Sequence, residues 1–413
     1  MRRVSVAEAL AAMDRYPIRV AQAESVALAL AEGRILAEDV AAAEDVPPFD
    51  RSPLDGFAVI ASEVASATAQ SPVKLAIAGE VLMGKAPSQA LRPGQALRVP
   101  TGGALPDGAT GIVMLEDTRE SGSYVEILDG SDAAAQIVAR GSDVKRGQIL
   151  LGRATAISPA AVGMLAGAGI AHVSVYAKPV VSLLVSGDEL VPPGDFALAP
   201  GEIRDINSHC LSAALQAMGF EVRLHPRVAD AREALARGLV DALATSDAVV
   251  ISGGSSVGDR DYTPEVVGEA GEPGVIVHGV RAKPGRPTLL ALIGEKPVIG
   301  LPGNPVSALV MLETLGKPVL LRMFDKHDST LPVRARLAEP IARDPKVERR
   351  VPVSLTQAAD GLLATPLFGT SAQMHILGMA DALVAVAQGE GRIESGAWVD
   401  AMPFSRSGGI SRV

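Results

Sequence analysis

The rhythm of apolar and polar residues changes several times along the chain. In VSVAEALAAM the apolar positions fall on one helical face, and Ser5 with Glu8 forms a capping box, so a helix is expected through about Met13. A second helical pattern is expected over residues 25–31, ending near Gly33. From Val40 to about Arg140 the texture becomes short apolar runs (VKLAIAG, QALRVP, GIVMLED, SYVEIL) separated by Gly, Pro and Asp, which predicts a β-rich insertion. Ser158 and Pro159 offer an N-cap and an N1 proline for a helix reaching Gly167. From Pro179 the pattern alternates: VVSLLV, SHCLSAALQAMG, EVRLHPRV, AREALARGLVDALA, DAVVI. Such alternation marks a parallel sheet with crossover helices. It continues to a helix of about residues 306–315, after which VRARLA, RRVPVSL and ALVAVA predict a small C-terminal β domain. The expected fold class is therefore multidomain α/β plus β, with a central three-layer α/β domain and a mostly parallel sheet.

Composition narrows the function classes. The 413 residues are too many for one ordinary core, and about two to four domains follow. A net charge of −9 argues against nucleic acid as a partner, because phosphate backbones need clustered Lys and Arg. A small anion answers to local groups instead and stays possible. The single cysteine, Cys210, allows no intrachain disulfide, and the six histidines form no metal-binding pair. His172, His209, His225 and His278 read as structural or surface residues. Glu8 and Asp14 interrupt the first apolar stretch as no signal segment would, and no run reaches membrane-spanning length. A cytoplasmic protein without a membrane partner is expected.

Within about sixty residues, three apolar runs empty into loops rich in Gly, Pro and small polar residues: SGGSSVGDRDYTP, RAKPGRP and GLPGNPVSA. In open α/β sheets, ligands gather outside the carboxyl ends of the strands. With Gly253 and Gly254 in the first loop and Lys283 and Arg286 in the second, these loops suggest a phosphate-like or oxyanion site. Asp259 and Asp261 read either as ligands of a cation or substrate hydroxyl, or as solvated acids with a cap. Asp188 and Glu189 in LLVSGDELVPPG suit magnesium, or an ordinary helix start. Asp205 and Asn207 in GEIRDINS lead into a helix at Ser208, where an N-cap role for Asn207 or Ser208 accounts for the pattern without a ligand, and Asp230 is equally well explained as a cap. GEVLMGKA matches the spacing of a phosphate-binding loop, but Ala86 replaces the metal-holding hydroxyl and EVLM does not read as a loop, so nucleotide hydrolysis there is excluded. Two loops in the insertion look over-specified for turns: FDRSPLDGFAV with Asp55, and RVPTGGALPDGA with Thr101.

Taken in order, these segments resemble the molybdopterin molybdenumtransferases, the MoeA and gephyrin E-domain family. FDRSPLDGFAV and RVPTGGALPDGA look like its two signatures, and SGDEL, RDINS, SGG-x-SVG-x-x-DY, KPG-x-P and LPGNPVSA follow in its order. The resemblance implies an elongated four-part protomer: residues 1–42 with 141–177, 43–140, 178–325 and 326–413. It implies a homodimer whose active site lies between the α/β domain of one subunit and the β-rich insertion of the other. It implies that adenylylated molybdopterin and molybdate bind, that AMP is released with Mg2+ present, and that molybdenum enters the dithiolene. By motif position, the catalytic residues fall on Asp55, Thr101, Glu189, Asp230 and Asp261, with Glu189 and Asp261 as metal ligands. Substrate contacts fall on Gly253, Gly254, Lys283, Arg286, Pro302, Asn304, Pro305 and Ser307. An upstream adenylyltransferase and downstream molybdoenzymes are implied partners. Arg286 replaces a common lysine, which keeps charge but substitutes a fork for a point donor. Ser255, Pro53, Leu54 and Phe57 vary the signatures without removing Asp55. The C-terminal domain matches least: GTSAQMH follows the expected loop only loosely, so Ser371, Arg349 and Arg350 receive no site role. Alternative readings are the related molybdopterin adenylyltransferase and a non-catalytic molybdopterin-binding scaffold.

Overall fold

The structure, a computed structural model, describes residues 3–194, 196–253, 261–373 and 375–405. It comprises two compact units, Glu24–Val175, and Met1–Ala23 with Tyr176–Val413.

In the first unit the predicted β-rich insertion forms a six-stranded sheet. Its order is Gly111–Met114, Gly56–Val59, Gln95–Val99, Val73–Glu80, Tyr124–Ile127, Thr118–Ser121. Successive side chains of a strand face opposite ways. Phe57 and Val59 accordingly enter a cluster with Val113, Val125 and Ile127, while Ala58 enters another with Leu97, Val99 and Ile112. Both faces are covered, so Gly56–Val59 is buried throughout. A third cluster joins Leu28, Leu36, Ile157, Leu165 and Val175 against helix Pro159–Gly167, whose N-cap Ser158 Oγ accepts from the Ala161 amide at 3.2 Å.

Two expectations fail here. Residues 25–31 are not helical: Ala23–Ala27 is a strand beside His172–Tyr176, followed by one 3-10 turn, Leu28–Leu30. A helix of two turns is marginal by itself, and a neighbouring strand with free backbone groups outcompetes it. In GEVLMGKA, the strand Val73–Glu80 ends and Val81–Ala86 is loop and turn, although EVLM read as non-loop. The next regular element is strand Gln95–Val99, so no helix N-terminus follows to receive a phosphate.

The larger unit begins with helix Val6–Met13 and its capping box: Glu8 N donates to Ser5 Oγ (3.2 Å) and Ser5 N to Glu8 Oε2 (2.6 Å). The α/β domain that follows has strands β1 (Val180–Val185), β2 (Glu221–Leu224), β3 (Ala248–Ser252), β4 (Pro273–His278), β5 (Leu289–Ile293) and β6 (Lys296–Leu301). Its helices are α1 (Asn207–Ala217), α2 (Arg232–Thr245), α3 (Thr263–Glu269) and α4 (Pro305–Met311). The strand order is β2-β1-β3-β6-β5-β4. The first four are parallel; β5 runs against both β6 and β4. Two reversals restore the direction, so β4 points the same way as β1, β3 and β6. The loops after all of them therefore emerge on one edge of the sheet. On one face Leu184, Val249, Ile251 and Val298 pack with Leu235 and Leu239 of α2 and Val266 and Val267 of α3. Helices α1 and α4 pack on each other. Central strand β3 is buried at every position, as a strand covered on both faces must be.

Beyond it, Glu348–Ala358, Gly361–Pro366, Val333–Leu337, Trp398–Pro403 and Ala382–Val386 pair in that order, and the last pairs back to the first, closing a small barrel. Its interior holds Leu337, Val351, Val353, Leu355 and Val384. Among the described residues, no helix is long and apolar enough to cross a membrane.

The packing makes a direct prediction. Leu239 is fully buried and Leu224 is 48% exposed. Leu239→Ala is expected to cost about 2–5 kcal/mol through lost contacts and a residual cavity, and Leu224→Ala well under half of that. Chemical denaturation followed by circular dichroism measures both; equal losses would contradict the placement of α2 on the sheet.

Candidate functional site

The carboxyl edge of the α/β sheet is tied together by one buried side chain. Asn207, 7% exposed, donates through Nδ2 to Ser252 Oγ at the end of β3 (2.8 Å) and to the Gly303 carbonyl after β6 (2.7 Å). It is therefore not the cap expected from the sequence. The α1 amide of Ser208 is satisfied by Asp205 Oδ1 at 3.0 Å, which frees Asn207 to hold two loops. Gly253 has φ +100°, and a Cβ there would stand 2.3 Å from the Ser186 carbonyl oxygen, so only glycine lets the β1 and β3 loops cross so closely.

The expected acids follow adjacent strands on this edge: Glu189 after β1, Asp230 after β2 and Asp261 after β3. Glu189 and Asp230 are exposed. Helix α2 starts after Ala231, which offers no capping side chain, so the cap explanation of Asp230 is not supported. Asp261 is half-buried, accepts from the Thr263 amide at 3.1 Å, and borders a void of about 10 Å³ with Gly253, Thr263 and His278. Burial pushes its carboxyl above the usual range, against the Thr263 hydrogen bonding and His278, which pull it down. Gly254 and Asp259 lie outside the described residues. Among the described residues, no three His, Cys, Asp or Glu side chains gather as a metal cluster.

The cationic part is separate and better formed. Ala282 and Lys283 leave the α/β domain as a short strand and pair in parallel with Glu348 and Arg349 of the barrel. The turn that follows depends on Gly285: its φ is +107°, and a Cβ would meet Met311 Cγ at 2.2 Å. From α4, Asn304 Nδ2 donates to Ser371 Oγ (3.1 Å) and the Val306 amide to the Ser371 carbonyl (3.2 Å). These ties enclose a cleft of about 540 Å³. Lys283, Arg286, Arg349 and Arg350 line it with Ser307 and Ser371, and Val306, Phe368 and Ile376 give it apolar walls. Arg350 pairs with Glu348 at 2.5 Å, yet burial outweighs that attraction and lowers its pKa. Pro302 lends its carbonyl to Ser252 Oγ at 3.4 Å, and Pro305 occupies the first turn of α4. Lys283, Arg286 and Ser307 thus come together as expected. Arg349, Arg350 and Ser371, which the loose match of GTSAQMH to the family loop supported only weakly, join them. Their signals were an Arg pair opening an alternating strand and a Gly-Thr-Ser loop, and each carries meaning only once the barrel is seen against KPGRP.

Within the unit Glu24–Val175, the two signature loops meet. The Ser52 amide donates to the Gly103 carbonyl (3.0 Å) and the Gly102 amide to the Ser52 carbonyl (2.7 Å). Asp55 Oδ1 accepts from both the Thr101 amide (2.6 Å) and Thr101 Oγ1 (2.9 Å). Those two bonds, the backbone one first, hold the exposed Asp55 carboxyl below its usual range. Residues 46 positions apart are thereby joined as one exposed pair.

An α/β domain whose carboxyl-edge loops join a small barrel around a cationic cleft defines a class of anion-handling multidomain proteins. Residues 4–169 match the family described as MoeA N-terminal region (domain I and II), 182–322 that described as "Probable molybdopterin binding domain", and 334–404 the MoeA C-terminal region (domain IV). The chain is similar to a molybdopterin molybdenumtransferase of Nostoc sp., 34% identical over 381 residues, covering 90% of this chain and 87% of the relative. It is also similar to that of Bacillus subtilis, 31% identical over 394 residues, covering 94% and 91%. Two solved molybdopterin biosynthesis MoeA structures of Pyrococcus horikoshii superpose with TM-scores of 0.84 and 0.80 at 32% and 26% identity. Each comparison covers 98% of this chain and 100% of the other. The chain belongs to the molybdopterin molybdenumtransferase (MoeA) family.

Two consequences concern protonation. Because the native pKa of Asp55 is lowered, its hydrogen bonds to Thr101 support the fold above the ordinary carboxylate range and are lost as pH falls through the lowered value. Thr101→Val keeps the amide and removes the hydroxyl, so Asp55 is expected to titrate part of the way back toward an ordinary carboxylate, read by carbon-13 NMR. For Asp261 the sign is opposite. Its raised native value makes the fold less stable as pH climbs from the ordinary carboxylate range through that value. Asp261→Asn is therefore expected to raise the melting temperature at neutral pH and to leave it nearly unchanged at pH ~3, read by calorimetry.

Proposed function

We propose that this protein transfers molybdenum from molybdate into adenylylated molybdopterin and releases AMP, as a magnesium-dependent cytoplasmic homodimer. The observation that carries the reading is the cleft of Lys283, Arg286, Arg349 and Arg350 between α/β loops and barrel. Molybdate is a tetrahedral dianion, and paired guanidinium and ammonium donors with hydroxyls from Ser307 and Ser371 match it; apolar walls strengthen each contact. A chain with net charge −9 has little other reason to gather four cations. The names of the relatives accord with this chemistry.

The acids suit the other end of the substrate. Magnesium is commonly held by one or two carboxylates plus substrate phosphates, and Asp261 with Glu189, from the loops of neighbouring strands, provides that number. A magnesium ion there would offset the charge that develops as the phosphate–AMP bond breaks. Asp261, costly to ionise in its half-buried place, is stabilised as a carboxylate by any cation beside it. Asp230 lies on the same edge as a further acid. Asp55 and Thr101 are assigned to the site of a second copy of the chain, in keeping with their exposure in a separate unit. The four-part division into residues 1–42 with 141–177, 43–140, 178–325 and 326–413 is proposed as the framework, with an upstream adenylyltransferase and downstream molybdoenzymes as partners.

The test is AMP release from adenylylated molybdopterin, followed by chromatography with and without molybdate and magnesium. The wild-type protein is expected to require both. Asp261→Ala and Glu189→Ala are each expected to slow release by about 100-fold or more. Lys283→Ala with Arg349→Ala should raise the molybdate requirement at least about 10-fold. Mixing Asp55→Ala with Asp261→Ala protein should restore part of the activity, since a mixed dimer can build one intact site. Release that survives Glu189→Ala and Asp261→Ala combined in one chain would remove the carboxylate mechanism, and net adenylyl transfer from ATP to molybdopterin would make the protein an adenylyltransferase instead.

A further inference from the structure

The chain has few aromatic residues, 3% of the total, yet one phenylalanine is held out in solvent with unusual care. Phe196 is 49% exposed and belongs to the loop between Leu190–Val191 and Ile203–Arg204, two short strands that pair in parallel. The Ile203 amide donates to the Glu189 carbonyl and the Asp205 amide to the Val191 carbonyl, both at 2.8 Å, so the loop is rooted at Glu189 itself. The Arg204 guanidinium lies over the Phe196 ring, 4.0 Å from its centroid. The same guanidinium donates to the carbonyls of Pro192 (2.8 Å), Gly194 (3.0 Å) and Phe196. Glu202 Oε2 accepts from the Ala199 amide at 2.8 Å and fixes the far side of the loop. Gly194 borders the ring edge, where a Cβ would come within 2.7 Å of a ring carbon.

A loop with no use for this ring could turn it inward or replace it with a polar residue. Here one arginine spends its fork on three carbonyls of the loop and its face on the ring. The ring is therefore fixed with one face covered, leaving the exposed area on its other face and rim. An aromatic face presented on a loop that is rooted at Glu189 is a stacking surface for a planar base, and an arginine on the opposite face reinforces it.

We propose that the free face of Phe196 is the platform on which a fused nitrogen heterocycle of the substrate stacks, held in place by Arg204. The assignment rests on the functional reading above, whose substrate carries two such rings, adenine and pterin. Phe196 is then a specificity-determining contact and Arg204 a positioning residue. Phosphate recognition by the acids and their cation is untouched by either.

Calorimetric titration of the full-length protein with AMP, ribose 5-phosphate and neopterin, each with magnesium, tests this. Phe196→Ala is expected to weaken AMP about 10-fold and to leave ribose 5-phosphate unchanged, while Phe196→Tyr stays within about twofold of wild type. Loss of neopterin instead of AMP would assign the platform to the pterin. Arg204→Lys, which keeps charge but neither fork nor stacking plane, should weaken the same ligand several-fold. If the wild-type protein binds AMP or neopterin and Phe196→Ala binds both equally well, the platform is overturned while the functional reading stands. If the wild-type protein binds neither, the functional reading itself fails. A change in sedimentation without a change in affinity would make Phe196 a subunit contact and also overturn the proposal.

Discussion

Two residues of backbone pairing hold the cationic cleft in being. Where Ala282 and Lys283 lie against Glu348 and Arg349, the loop after β4 becomes part of the barrel, and the two positive side chains are set in register. Like charges in register oppose the pairing that creates them. Arg286 and Arg350 line the same cleft, and burial costs Arg350 more than Glu348 returns. Asp344, whose carboxyl is lowered first by the Lys346 amide and further by Lys283 and Arg286, offsets the charge only from a partly exposed position. The domain junction is thus built with an electrostatic deficit that an anion would fill. A ligand that binds only the assembled junction stabilises it by mass action. On the proposed reading, an anion in the cleft would therefore also stabilise the docking of the barrel on the α/β domain.

The acids obey a different constraint. Glu189, Asp230 and Asp261 are spread over the ends of three neighbouring strands, with no cluster of three among the described residues. Gathering them would recreate, with opposite sign, the repulsion that the cleft already carries. A spread of single carboxylates is stable without a partner and becomes a binding site only when a cation and phosphates supply the remaining ligands. The chain therefore keeps its two kinds of charge apart: concentrated cations under apolar walls, and dispersed acids along the sheet edge.

Much of this was legible in the sequence, and for identifiable reasons. The alternation from Pro179 onward is dictated by strands buried on both faces and helices covering them, so β1 to β3 and α1 and α2 were placed from period alone. The KPGRP and PGNPVS loops were legible because glycine and proline mark backbone geometry that few other residues adopt. What period could not supply was partnership. Residues 25–31 carried a helical pattern, and the strand His172–Tyr176, some 150 positions away, decided otherwise. Asn207 looked like a cap because caps are local and its two bonds are not: Ser252 and Gly303 lie 45 and 96 positions away. Arg349, Arg350 and Ser371 lie where the family resemblance is loosest, and only the added strand at Lys283 brings them to the cleft.

Asp55 and Asp261 show how one chain prepares two carboxyls for different duties. Asp55 is exposed and accepts two hydrogen bonds from Thr101, which favour its ionised form and hold its carboxyl below the usual range. Asp261 is half-buried, and its ionised form is disfavoured until something positive arrives. Groups whose surroundings push their pKa values apart are those that can take opposite parts in a reaction. On the proposed reading, Asp55 presents a negative charge and a spare oxygen from a second copy, whereas Asp261, whose ionised form burial disfavours, is the carboxylate that gains most from a cation beside it. A fully solvated carboxylate carries no such desolvation cost and would gain far less from the same cation.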